Sequence, residues 1–188
     1  MKDLHGLTIS TSSAEAGAAM ERALSSFLKF RLDVREHLSR CLAADPQFSL
    51  AHCLKGYFAM LLYKQTSVAP AAQSAQTARA LAATATAREQ AHVEALEAWV
   101  EGDLDRTLAT WETILADHPT DALALRLAHL KYFWQGRPRD MVASVERVVP
   151  RWDRDLPAWG AILSCRCFAY EECGDYVTAE AAGRAAVT

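Results

Sequence analysis

Residues 102–119 read GDLDRTLATWETILADHP, and this stretch decides the fold. It opens with a glycine-aspartate turn. Thr107, Trp111 and Ile114 follow at intervals of four and three, and Pro119 comes five residues later. These intervals place the three side chains on one face of a helix, and proline cannot continue a helix. The stretch therefore predicts a turn, a short amphipathic helix and a proline stop.

The same spacing recurs at two other places in the chain. One copy precedes Pro46, and the other ends near Thr188, before a proline is reached; the positions are Val34, Leu38, Cys41, Ala179, Gly183 and Ala186. Gly136 lies 34 residues after Gly102, and Gly174 opens another glycine-aspartate turn. A period of 34 residues built as helix, glycine turn, helix and proline is typical of a tetratricopeptide repeat (TPR) array. Because such units bury their apolar faces only by stacking, we expect an all-α, TPR-like superhelical solenoid of about five antiparallel helix pairs.

The pattern divides the chain into an arm and one helical domain. Residues 1–12 are expected to form a loose N-terminal arm. Residues 13–188 are expected to form the TPR-like domain, truncated at its C-terminal end. Ser12 and Glu15 have the spacing of a capping box, which predicts Ser12 as the N-cap of the first helix.

Two further segments predict helices. Residues 71–86 are rich in alanine and lack glycine, which favours a helix over a flexible linker. Pro157 is expected near the first position of a helix that ends at Cys173, because proline is well tolerated there. About ten helices are predicted in all, and no strand pattern competes with them.

The composition argues against several classes of protein. Twenty basic and 23 acidic residues give a net charge of −3, and no long basic stripe suggests a nucleic-acid binder. The longest unbroken apolar run, Tyr57 to Tyr63, is too short to span a bilayer, and the N-terminus lacks the pattern of a signal peptide. Five cysteines, an odd number, predict reduced thiols in the cytoplasm. We expect them to serve as small apolar packing residues and not as metal ligands.

Several stretches resemble the tetratricopeptide repeat protein 38 family. They are REQAHV at 88–93, WETILADHPTD at 111–121, ALALR at 122–126 running on to His129, Tyr132 and Phe133, LTISTSS at 7–13, and the Ala44-Asp45-Pro46 turn. The resemblance covers essentially the whole chain. It implies that family members are much longer, with a histidine-rich helical region after the last unit present here. It implies a fold more than an activity, because the family has no settled biochemical activity.

In TPR units the first helix of each pair lines the concave groove. With Gly102 and Gly136 at the turns between helices, three successive units supply the predicted groove residues. They are Glu89, His92, Trp99, Arg126, His129, Leu130, Phe133, Trp134 and Phe168. Trp99 and Trp134 are candidate anchors, since aromatic side chains dominate interface energies, although a core position is an equal alternative for each. Trp111 is expected in the core.

The histidines are the residues with the clearest potential for chemistry. Glu89 and His92 form a Glu-x-x-His step, which di-metal proteins use on two helices; one copy is present here. We interpret it as a capped helix start with His92 half exposed. His129 is interpreted as a core histidine bonded to a neighbouring carbonyl. The alternative is a groove residue that binds an acidic or metal ligand.

His118 precedes Pro119 in a turn, and turn chemistry explains it without a catalytic role. Thr120 or Asp121 is expected to cap the next helix through a side-chain oxygen. The chain also lacks a glycine-rich phosphate loop and a Gly-x-Ser-x-Gly elbow. No catalytic residue, metal ligand or cofactor is therefore predicted.

The predicted function is a protein- or peptide-binding, TPR-like scaffold with no catalytic activity of its own. We expect a protein or peptide partner, not nucleic acid or a membrane. A homodimer through the apolar C-terminal helices is a further expectation. The alternative is an enzyme or a small-ligand or metal-binding protein that uses the groove histidines and a missing C-terminal half.

Overall fold

The computed structural model describes residues 1–187, and helices account for most of them. Those residues form ten α-helices and no β-strand; an isolated bridge joins Lys2 and Thr8. In chain order the helices are α1 Ala14–Leu28, α2 Val34–Ala44, α3 Ser49–Met60, α4 Val68–Leu81, α5 Ala87–Glu101, α6 Leu104–Asp117, α7 Ala122–Trp134, α8 Pro138–Val148, α9 Trp159–Glu172 and α10 Tyr176–Ala186. The predicted all-α class and the number of helices are confirmed. Thr188, where the predicted domain ends, lies outside the described residues.

The chain divides into two compact units, Met1–Thr110 and Trp111–Thr188. In the first unit α1 packs on α2, α3 packs on α4, and α5 packs on both α3 and α4. In the second unit α7 packs on α8, and both α8 and α10 pack on α9. Helices therefore pack mainly on their neighbours in sequence, as short connections require.

Glycine and aspartate define the helix ends in the way the sequence predicts. Gly102, Gly136 and Gly174 have φ angles of 83°, 65° and 78°. Because this left-handed region favours glycine, each glycine allows the chain to leave one helix and enter the next. Asp121 caps α7, and its Oδ1 accepts a hydrogen bond from the Ala124 N–H at 2.8 Å. The predicted cap at position 120 or 121 is thus confirmed at Asp121.

Two predicted helix boundaries are wrong. The N-cap of α1 is Ser13 and not Ser12; the Ser13 hydroxyl accepts the Ala16 N–H. α4 ends at Leu81, and a short 3₁₀ turn, Ala82–Thr84, follows it. α9 begins at Trp159, two residues after Pro157, so the proline lies near the first position, as expected, without occupying it. The carboxylate of Asp153 organises a separate turn there by accepting two backbone N–H groups, which delays the helix.

The N-terminal arm is packed, so the expectation of a loose arm is wrong. Ile9 and His5 are buried. The Ser10 N–H donates to Glu89 Oε1 at 3.0 Å, and Arg88 donates to the Thr8 carbonyl at 3.3 Å. These bonds join the arm to α5, about 80 residues away in sequence.

Trp111 is fully buried on α6, which confirms its predicted core position. None of the helices within residues 1–187 combines the length and the apolar character needed to cross a membrane.

Candidate functional site

The nine predicted groove residues fall into two groups. Glu89, His92 and Trp99 lie on α5 in the first unit, and all three are buried. The other six lie on α7 and α9 in the second unit: Arg126, His129, Leu130, Phe133, Trp134 and Phe168. Of these six, His129 is buried, Trp134 is 64% exposed and the other four are half-buried. Exposed binding surface is therefore found only in the second group.

Glu89 serves the start of α5. One of its carboxylate oxygens accepts the Thr86 N–H at 2.8 Å, and the Thr86 hydroxyl accepts the Glu89 N–H at 3.2 Å. This is a complete capping box, so the predicted capped helix start is confirmed. The other carboxylate oxygen binds the arm at Ser10. Both oxygens of Glu89 are therefore used by the fold.

His92 and Trp99 belong to the core of the first unit. The Tyr57 hydroxyl donates to the His92 carbonyl at 2.7 Å and lies 3.3 Å from its Nδ1 atom. The Tyr57 ring also lies 6.1 Å from the ring of Trp99. His92 is fully buried, so its predicted half exposure is wrong. Of the two roles considered for Trp99, the core role is the one observed.

An aromatic cluster joins α7 and α9 in the second unit. The ring of Phe133 lies 5.1 Å from that of Phe168 and 5.4 Å from that of Trp134. The ring of His129 lies 5.8 Å from that of Phe168. We call the surface around this cluster the α7–α9 face, and it comprises Arg126, Leu130, Phe133, Trp134 and Phe168. Positions 126, 130, 133 and 134 share one side of α7 because they are spaced by three and four residues.

Arg126 connects the two helices at the other end of this face. Its Nη1 atom lies 3.3 Å from Cys165 Sγ on α9. Burial raises the pKa of the Cys165 thiol, and the positive charge of Arg126 partly opposes that change. Cys165 is therefore a protonated packing residue, and Arg126 holds α9 against α7.

His129 is the unusual residue of the second unit. It is 2% exposed, and neither of its ring nitrogens has a hydrogen-bond partner. The predicted bond to a neighbouring carbonyl is therefore absent from the residues described, although the predicted core position is confirmed. Burial, with a smaller effect from the charge of Arg126, lowers the pKa of His129 to about 4. The imidazole is neutral at physiological pH.

Several polar contacts hold α7 in place, and the sequence did not predict them. The Tyr132 hydroxyl donates to Glu112 Oε1 at 3.1 Å, and Arg147 pairs with the same carboxylate. The guanidinium of Arg137 lies over the Tyr132 ring, with its carbon 4.9 Å from the ring centre. These contacts tie α7 to α6 and α8. Their partners lie 20 and 35 residues apart, so no local spacing signals them.

A group of titratable side chains on the arm was also missed. Asp3, His5 and Glu21 place one ligand atom each within 4.8 Å of one another. The Asp3 carboxylate accepts backbone N–H groups of the arm, and Glu21 Oε1 accepts the Leu4 N–H at 2.8 Å. Burial raises the pKa of both carboxyls, while the charge of Arg88 opposes that change. We interpret the group as the contact that holds the arm on α1.

Three of the five cysteines pack as predicted. Cys41, Cys53 and Cys165 are buried, and burial raises the pKa of the Cys41 thiol to about 12. Such thiols are not reactive at neutral pH.

No family model matches this chain, and no solved structure matches it either.

Proposed function

We propose that this chain is a TPR-like interaction scaffold that binds a protein or peptide through the α7–α9 face. One observation carries the proposal: Trp134 is 64% exposed at the edge of a packed cluster of aromatic rings. An exposed large ring costs solubility, and tryptophan and arginine are the side chains most enriched among binding hot spots. Half-buried Arg126 and Leu130 extend the same side of α7.

The TPR-like solenoid and membership of the tetratricopeptide repeat protein 38 family are parts of the same proposal. The solenoid is supported by two features: within each unit successive helices pack as neighbours, and the glycine turns at 102, 136 and 174 recur at intervals near the TPR period. The family is supported by the stretches of sequence quoted above. A cytoplasmic location is also proposed, and the five free cysteines support it.

The rival proposal, a catalytic or metal site built on the histidines, has less support. Both Glu89 oxygens bind backbone N–H groups, and His92 is held in the core beside Tyr57. His129 has unpaired nitrogens, but it belongs to no cluster of three or more potential metal ligands among the described residues.

The proposed face can be tested by removing its exposed anchor and its cation together. We expect the Arg126→Gln, Trp134→Ala double variant to capture at least about tenfold less partner from native cell extract, since hot-spot truncation costs about 2 kcal/mol or more. The helical circular dichroism should be unchanged. The matched control is Arg154→Ala with Leu4→Ala, which removes an exposed arginine and a 62% exposed apolar side chain elsewhere. Equal capture by the double variant and the parent would place the binding surface elsewhere.

We further propose that the chain forms a homodimer through α10. Tyr176, Val177 and Val187 are 68%, 83% and 87% exposed at the two ends of this helix, and exposed apolar surface of this kind favours association. Sedimentation velocity at micromolar concentration should show a dimer for the parent and a monomer for the Tyr176→Ser, Val177→Ser variant. A parent that stays monomeric with residues 175–187 ordered would contradict the dimer.

A further inference from the structure

A groove on the first unit is lined by residues that belong to none of the surfaces described above. A cavity of about 350 Å³ opens between α2 and α3. Its apolar lining comes from both helices and the residues just after α3, and its charged lining from one side chain on each helix: Leu38, Leu42, Phe58, Leu62, Arg35 and Lys55. We call it the α2–α3 groove. Leu38 is buried, and the Phe58 ring is supported by Phe27 of α1 at 5.2 Å.

The spacing of the lining residues allows a third helix to pack between α2 and α3. Along α2, and along α3 and the residues just after it, the lining positions recur at intervals of three, one and three residues. Each helix therefore presents one continuous stripe to the groove. Two neighbouring helices with such stripes form the ridges and holes into which the side chains of a third helix insert.

The positive charges around the groove favour a helix that carries negative charge. Arg35 and Lys55 are exposed, and neither makes an ion pair with any residue in the range 1–187. The acidic side chains next to Arg35 are already paired with other cations: Asp33 lies 3.6 Å from Arg31, and Glu36 is bound to Arg40. Each wall of the groove therefore carries one positive charge that is not balanced by a neighbour.

Exposed apolar side chains also lie in the segments that follow α1 and α3. Phe30 follows α1 and Tyr63 follows α3; they are 73% and 50% exposed and have φ angles of 54° and 51°. Leu32, before α2, is 97% exposed. Both positive φ angles occur directly after a helix, where a residue in the left-handed region commonly ends it; after α1 the Arg31 N–H donates to the Ser26 carbonyl at 2.8 Å. These side chains add exposed apolar surface to the unit that contains the groove, but they are not part of its lining.

We propose that the α2–α3 groove binds an acidic amphipathic helix of a partner protein. The apolar stripe of that helix packs between α2 and α3, and carboxylates on both sides of the stripe pair with Arg35 and Lys55. An anionic membrane surface fits less well, because the groove lining contains two basic side chains, fewer than the clusters of about four to eight that bind anionic lipid. The site is independent of the α7–α9 face.

The probe is a synthetic 21-residue fluorescein-labelled helix with leucine at heptad positions a and d and glutamate at e and g. A second peptide carries lysine at e and g. Fluorescence anisotropy with the full chain should show that the glutamate peptide binds at least about tenfold more tightly than the lysine peptide, as expected from the two wall cations. Equal affinity for the two peptides would overturn the proposal.

A charge-reversal variant distinguishes a loss of peptide recognition from a loss of folding. The Arg35→Glu, Lys55→Glu variant should lose at least about tenfold in affinity for the glutamate peptide and gain for the lysine peptide, because like charges across an interface are unfavourable. The control, Lys29→Glu with Lys64→Glu, changes the net charge equally in the same unit outside the groove and should bind as the parent does. A charge reversal that lowers the affinity for both peptides equally would also overturn the proposal.

Two further measurements exclude the other occupants. Binding to vesicles of phosphatidylcholine and phosphatidylserine that depends on Arg35 and Lys55, without peptide binding, would replace the partner helix by a membrane. Self-association that is lost on the same charge reversal would replace it by a second copy of the chain. The Arg126→Gln, Trp134→Ala variant should bind the glutamate peptide normally, so failure of the α7–α9 face and failure of this groove give different results.

Discussion

Replacing Trp111 by alanine should lower the free energy of unfolding by about 3–5 kcal/mol. The side chain is fully buried, and it is among the largest in the core. Alanine would leave a cavity that the surrounding helices cannot fill without moving, so packing contacts are lost as well as apolar burial. Chemical denaturation measures the loss directly, and the melting temperature should fall by about 10 °C for a chain of this size.

The matched control for this change is Trp134→Ala. It removes the same side chain at a position that is 64% exposed, and its effect on stability should stay within about 0.5 kcal/mol. If the Trp111→Ala protein melts within a degree or two of the parent, the buried core position of Trp111 on α6 is wrong.

The stability of the protein should fall by about 3 kcal/mol more on acidification when His129 is present than when it is absent. In the folded protein, burial lowers the pKa of His129 from 6.5 to about 4. The unfolded chain therefore binds a proton at a higher pH than the folded chain does. The free energy of unfolding therefore has its full value above pH 6.5, and it decreases progressively as the pH falls toward about 4.

The variant His129→Leu removes this titration. The free energy of unfolding of parent and variant should be measured by denaturant titration from pH 8 to pH 4. At pH 8 the variant should be as stable as the parent or more stable, because leucine removes two unpaired nitrogens from a buried site. The two curves should diverge below pH 6.5, with the parent falling faster. Parallel curves over the whole range would show that His129 is hydrated or bonded in solution.

Local signals in the sequence predicted the helices well. Proline stops, glycine turns and the Asp121 cap act within a few residues, so their effect can be deduced without knowing the tertiary structure. The boundaries that failed, at Ser12 and at the end of α4, are places where a neighbouring cap or a short 3₁₀ turn is used instead. The packed arm could not be predicted, because the Ser10–Glu89 bond joins residues 79 positions apart.

The division between groove and core was harder to predict for a physical reason. Buried residues surround α7 on nearly all sides, including positions 122–125, 127–129 and 131–132. A helix buried all round has no polar face to show which side meets a ligand. The same holds for α5, most of whose residues between positions 88 and 99 are buried; His92 and Trp99 were predicted in a groove, yet they are core residues of the first unit. Trp134, the last residue of α7, is 64% exposed.

Hydrogen–deuterium exchange of the chain, alone and bound to the partner that it captures, tests the central claim most directly. Binding at the α7–α9 face should slow amide exchange in residues 126–134 and 164–172, because the partner stabilises both helices against local opening. Trp134→Ala should remove that protection together with the captured partner. Unchanged exchange in α7 and α9, with protection confined to other helices of a stable complex, would contradict the proposed function.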